Sequence, residues 1–160
     1  DESSDNFLKW YQQLVAESLG KKGNGVLPII SSMPKDNHSL MQLYLDGQKS
    51  NFYTFFYTQE KFSQKINSSS IPDDVGFLKK KSLGNILSSQ ILATQKVFKK
   101  KNIPFRTFMI KNRSEETLGG LFSFFIIETI LIAKVLKINP YDQPAVELIK
   151  KETKKILLNT

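Results

Sequence analysis

The sequence predicts an α/β layered fold with a mostly parallel sheet. Short runs rich in β-branched and aromatic residues, at 26–32, 51–58 and 105–111, read as strands. Between them lie segments whose apolar residues recur on a 3.6-residue repeat, the mark of a helix with one buried face. Strands that alternate with helices give a parallel sheet covered by helical layers. Three strands make a thin sheet, so the domain is expected to be truncated on its N-terminal side.

Each element has a local cause. Asp5 is placed to cap a helix over 6–19, with Phe7, Trp10, Tyr11, Leu14, Val15 and Ser18 along one side and Gly20 as a left-handed stop. The Gly23-Asn24-Gly25 turn leads into the first strand, where Pro28 argues for a strand start or edge. After the Pro34-Lys35-Asp36-Asn37 turn, a short helix is expected from His38 to Leu45, closed by Asp46-Gly47. Asn51 to Thr58 is the second strand. Residues 60–81 are polar, serine-rich and broken by Pro72, and read as a long surface connection, with a minor hairpin as an option. Ser82 to Lys101 is a helix with Leu83, Ile86, Leu87 and Ile91 on one side, and Phe105 to Lys111 is the third strand. Ser114 and Thr117 are candidate caps for a long apolar helix. Asn139-Pro140-Tyr141-Asp142 interrupts it, and Pro144 opens a last helix running to about Leu158.

Composition narrows the chemistry. With 160 residues, 40% of them apolar and 24% charged, the chain suits one globular domain. No cysteine is present, which excludes a disulfide scaffold, a thiol nucleophile and a thiolate zinc site. One histidine excludes H-E-x-x-H and multi-histidine metal clusters. Oxygen and nitrogen acid–base chemistry remains. The net charge of +8 comes from 21 lysines and two arginines. Arginine is the preferred group for bidentate phosphate and base recognition, so this balance favours solvated lysine over a nucleic-acid face. The acidic start Asp1-Glu2-Ser3-Ser4-Asp5 is unlike a signal peptide. Leu121 to Ile138 carries Glu128, Lys134 and Lys137, so it is expected to be a buried core helix rather than a membrane span. A cytoplasmic protein with no membrane partner follows as the default expectation.

Three places combine reactive groups. Gln143, Glu147 and Lys150 are spaced by four and three residues and share a helix face, with Gln143 at the helix start where free N–H groups can meet an anion. The competing reading is an ordinary exposed Glu147–Lys150 ion pair. His38 follows a proline turn, with Gln42 one turn on; it is a candidate proton carrier or simply a turn cap. Glu17 sits in the last turn of the first helix, where lysine is the usual residue, so it breaks a local rule and is a candidate general base. Lys21 and Lys22 are close enough in sequence to screen it.

Together these segments resemble the glucose-6-phosphate isomerase (phosphoglucose isomerase) family. The run from Ala133 to Lys150, with Tyr141-Asp142-Gln143-Pro144-Ala145-Val146-Glu147 at its centre, is similar to the family's C-terminal signature. That signature has an aromatic-Asp-Gln core, a small residue, Val-Glu, and a lysine three residues after the glutamate. Glu17-Ser18-Leu19-Gly20-Lys21 resembles its Glu-Ser-x-Gly-Lys block, and Asp36-Asn37-His38-Ser39-Leu40-Met41-Gln42 its Asp-Gln-His-Ser-x-x-Gln block. The three motifs come in the family's order and the resemblance spans about residues 8–158. Asn37, Tyr141 and Gln48 depart from the usual pattern, as does Ser32-Met33-Pro34-Lys35.

The resemblance implies a single C-terminal sugar-isomerase (SIS) domain over 1–160. The fold would be a flavodoxin-like, three-layer αβα sandwich. It implies reversible isomerisation of glucose 6-phosphate and fructose 6-phosphate with neither metal nor cofactor. Glu17 would be the base moving a proton between C2 and C1 through an enediol. His38 would assist ring opening from the partner subunit of a homodimer, Lys150 would assist it and offset negative charge, and Gln143 would hydrogen-bond the ligand. Nothing in the chain resembles the Ser/Thr phosphate loop and glycine–arginine motif of the family's N-terminal SIS domain. The chain alone is therefore expected to be inactive or nearly so. A non-catalytic SIS module that binds a sugar phosphate for regulation is the alternative.

Overall fold

The computed structural model describes residues 4–58 and 63–159. They fall into two compact units, one built on residues 31–117 and the other on 4–30 with 118–159. The expectation for residues 60–62 lies outside the described residues.

The first unit holds the sheet. Strand β1 (Tyr53–Thr58) pairs in parallel with β2 (Phe105–Ile110), in a register running from Tyr53 opposite Phe105 to Thr58 opposite Ile110. A parallel pair needs a long crossover, and helix α3 (Leu83–Lys100) lies within it. Ser82 caps α3 in a reciprocal box with Asn85, and Lys99 and Lys100 occupy its last turn, where cations are favoured. Phe98, 1% exposed, packs edge-on against Tyr53, Phe55 and Phe105. Of the residues expected along one side of α3, Leu83 and Leu87 are exposed and Ile86 and Ile91 half-buried, so the end of α3, at Phe98, is its most buried part. Among the described residues, short 3₁₀ turns at Ser68–Ser70 and Asp73–Leu78 and an antiparallel bridge, Lys65 to Ser82, occupy the long polar connection.

The second unit is helical. Helix α1 (Asp5–Leu19) starts one residue earlier than expected, with Ser4 at the N-cap position and Asp5 in the first turn. Its aromatic face meets helix α4 (Glu115–Val135): Trp10 and Phe7 lie edge-on to Phe122, and Tyr11 contacts Phe125. Val15, Leu19, Ala133 and Ile138 form a closed cluster, flanked by Tyr11 and Leu136. Ser114 caps α4 through the Thr117 amide, as its sequence suggests. Helix α5 (Pro144–Leu158) begins with proline at its first position and buries no residue.

Several expectations fail for identifiable reasons. The run 26–32 forms no strand: a strand is defined by its ladder, and no ladder reaches it among the described residues. Pro28 has no N–H, its carbonyl accepts from the Gln12 amide, and the Ser32 amide is committed to the Asp36 carboxylate. Gly20 is not left-handed (φ −74°); glycine is needed because a Cβ there would lie 2.6 Å from the Ala16 carbonyl oxygen. Helix α4 is not a buried core helix, since it buries only Phe125, Thr129 and Ala133. Those residues are four apart and make one narrow stripe, while Ile127 and Leu131 are each 56% exposed. Among the described residues α4 has the length and mean hydropathy (1.9) of a membrane-crossing helix.

Candidate active site

The end of α1 and the start of α5 meet at Glu17. The carboxylate accepts two amide N–H bonds. Gln13, one turn earlier on α1, donates to Oε1 at 2.8 Å, and Gln143 donates to Oε2 at 3.0 Å across 126 residues of sequence. The apolar cluster behind α1 fixes the helix, because Ser18 and Leu19 point inward and turn Glu17 out to solvent. Gln143 is the N-cap residue of α5 but makes no side-chain cap; its side chain turns instead to Glu17, to which it donates an amide N–H. Each carboxylate oxygen keeps a lone pair for a ligand proton, and the Gln143 amide keeps a second N–H and its carbonyl.

A second tie runs parallel to the first. Lys21 lies just beyond α1, and its Nζ donates to the Asn139 carbonyl at 2.5 Å and sits 3.2 Å from Asp142 Oδ1. The Asn139 side chain in turn accepts from the Tyr141 amide at 3.1 Å, which closes the loop that delivers Gln143. Sequence reading missed Gln13 and the use of Lys21. The i,i+4 spacing of Gln13 and Glu17 was the available signal for the first; no local signal points Lys21 at a loop 118 residues away.

Lys150 takes the alternative its spacing left open. Its ammonium pairs with Glu147 Oε1 at 2.7 Å, with side chains 66% and 57% exposed. Gln143 precedes the helix with a non-helical backbone, and Lys150 is bonded to neither Glu17 nor Gln143. His38 belongs to the sheet-bearing unit and starts no helix. It ends a 3₁₀ turn, Lys35–Asn37, is exposed, and precedes α2 (Met41–Asp46) by a break at Leu40. Asp36 organises that turn by accepting from the Ser32 amide at 2.7 Å and from the Ser39 hydroxyl at 3.0 Å. Among the described residues, no three His, Asp or Glu side chains gather as metal ligands. A hollow of about 420 Å³ lies beside the Gly23–Gly25 turn, and neither Glu17 nor Gln143 lines it.

Over 151 residues the chain is 33% identical to a glucose-6-phosphate isomerase of Methanocaldococcus jannaschii, covering 94% of this chain and 37% of that protein. Over 153 residues it is 37% identical to the enzyme of that name from Mycoplasmopsis pulmonis, covering 94% and 36%. Nearly the whole of this chain is thus similar to part of proteins named glucose-6-phosphate isomerase. It spans little more than a third of the length of these relatives. No family model matches the chain. The fold agrees: a glucose-6-phosphate isomerase structure from Chlamydia trachomatis superposes with a TM-score of 0.73 over 94% of this chain and 32% of that one, at 18% identity. A hypothetical protein from Thermus thermophilus superposes with 0.83 over 93% and 37%, at 24% identity.

Proposed function

We propose that the chain is the C-terminal catalytic domain of a longer, cytoplasmic glucose-6-phosphate isomerase that interconverts glucose 6-phosphate and fructose 6-phosphate without a metal. The single observation that carries this reading is the Glu17–Gln143 hydrogen bond, which joins two of the family's motifs at one exposed carboxylate. In the open-chain sugar, Glu17 takes the proton from C2, leaving an enediol, and returns it to C1, while a hydroxyl proton passes between O1 and O2. A positioned carboxylate supplies about 10²–10⁴-fold in rate. The Gln143 amide, already beside the base, bonds the sugar oxygens. Lys150 joins by leaving Glu147, an exposed exchange worth only about 0.3–0.5 kcal/mol. His38 serves ring opening across a homodimer interface; its exposure on a turn suits that role.

The isolated chain lacks the phosphate anchor, and remote binding energy of that kind is what lowers the barrier at the reacting carbons. An N-terminal SIS domain supplies the anchor and covers part of the apolar surface left open here, including Ile127, Leu131, Leu148 and Ile149. Glu128 at mid-helix makes lipid a poor alternative cover for α4.

The test is turnover of glucose 6-phosphate by the full-length protein in the presence of a chelator, with exchange of the C2 proton into deuterated solvent. Turnover with exchange, lost in Glu17→Gln, supports the reading. Binding of fructose 6-phosphate with no exchange makes the protein a sugar-phosphate-binding regulatory module instead.

A further inference from the structure

The structure assigns Lys21 a positioning role: its ammonium binds the loop before α5 to the end of α1, and so sets Gln143 against Glu17. The Lys21 side chain is 9% exposed, whereas its partner Asp142 is 54% exposed. A nearly buried ammonium persists only when paired and hydrogen-bonded, and here both acceptors belong to one loop. Its sequence neighbour Lys22 is the contrast: it sits exposed in the turn at φ 55° and carries no such tie.

The geometry explains why a lysine is used. Helix α1 has no basic residue in its last turn, so a cation just past Gly20 is favoured by the negative end of the dipole. A four-carbon stem from that point reaches the carbonyl of Asn139 and the carboxylate of Asp142, the residue directly before Gln143. Two cross-links therefore join the same pair of segments: Lys21 to Asn139 and Asp142, and Glu17 to Gln143. The first is shielded at the ammonium, and the second lies at an exposed carboxylate that a ligand can reach. Lys21 touches neither Glu17 nor, on this reading, the sugar, so it acts through the residues it holds in place.

The catalytic readout rests on the isomerase reading, and the experiment separates the two. In the full-length enzyme, Lys21→Met keeps the aliphatic stem and removes the cation. It is expected to lower kcat about 10- to 100-fold, the scale of a base and binding group displaced by about an ångström. In a Glu17→Gln background the same change should cost less than about twofold, because groups that act as a unit are not additive. Lys21→Arg, which spans the same two acceptors, should restore part of the loss. Equal losses in both backgrounds would mean a general structural role and overturn the proposal, as would an unchanged kcat in Lys21→Met. Should Lys21→Met not fold, Asp142→Asn weakens the tie at an exposed position and is expected to give a smaller loss, again non-additive with Glu17→Gln. Full turnover in Glu17→Gln would instead overturn the isomerase assignment of the base. The tie is then judged from a crystal structure of Lys21→Met: an intact Gln143–Glu17 hydrogen bond sinks it, and a broken one supports it.

Discussion

Helices α1 and α5 are both 15 residues long and both amphipathic, yet they end in opposite situations. The apolar stripe of α1 finds partners: Val15 and Leu19 are buried against Ala133 and Ile138, and Tyr11 lies on Phe125. Among the described residues α5 buries none of its stripe, and Ile156, Leu157 and Leu158 are 67%, 71% and 75% exposed. The functional groups follow suit. Glu17, on the anchored helix, is held by two amides, whereas Lys150, on the unanchored one, rests on its own neighbour Glu147. An amphipathic pattern specifies a face; it does not specify what covers it.

That contrast can be broken or sharpened by substitution. The largest effect is expected from Glu17→Gln in the full-length enzyme, a loss of about 10²–10⁴-fold in kcat, read by initial rates. The Lys21→Met loss follows at about 10- to 100-fold. Leu19→Ala should cost about 2–5 kcal/mol of unfolding free energy by denaturant titration, because Leu19 is 1% exposed and its loss opens a cavity in the buried cluster. Leu157→Ala, at 71% exposed, should stay within about 0.5 kcal/mol in the 160-residue chain. If the remainder of the protein covers α5, the same change should cost more in the full-length protein, and an equal cost in both would show that α5 stays uncovered. The smallest effect belongs to Glu147→Gln, which removes an exposed i,i+3 pair and should shift stability by less than about 0.5 kcal/mol.

The two regions also differ in how far they could be read in advance. Pro144 and the Ser114 cap mark helix starts through chemistry confined to one turn, and both stand where the sequence puts them. Residues 53–58 and 105–110 make a parallel pair because their aromatic and β-branched side chains suit a pleated surface packed on Phe98. The run at 26–32 is apolar and β-branched too, though without aromatics, and fails, because a strand needs a neighbour and Pro28 and Ser32 have their polar groups engaged elsewhere. Helix α4 reads as core from its composition, but composition cannot say how many sides have partners. His38 was expected at a helix start; Asp36 captures the Ser32 amide and the Ser39 hydroxyl and makes a tight turn instead.

By itself, the sequence determined the limits of α1, α3 and α5 to within a residue, the class of the fold and the set of residue types able to move a proton, because caps, turns and periodicity act within a few residues. Only the tertiary structure decided that Glu17 meets Gln143, that Lys21 is spent on the Asn139–Asp142 loop, and that Lys150 remains on Glu147. The reason is that contacts spanning more than a hundred residues are set by which buried faces close on each other. Here the cluster of Val15, Leu19, Ala133 and Ile138 brings the end of α1 to the loop before α5.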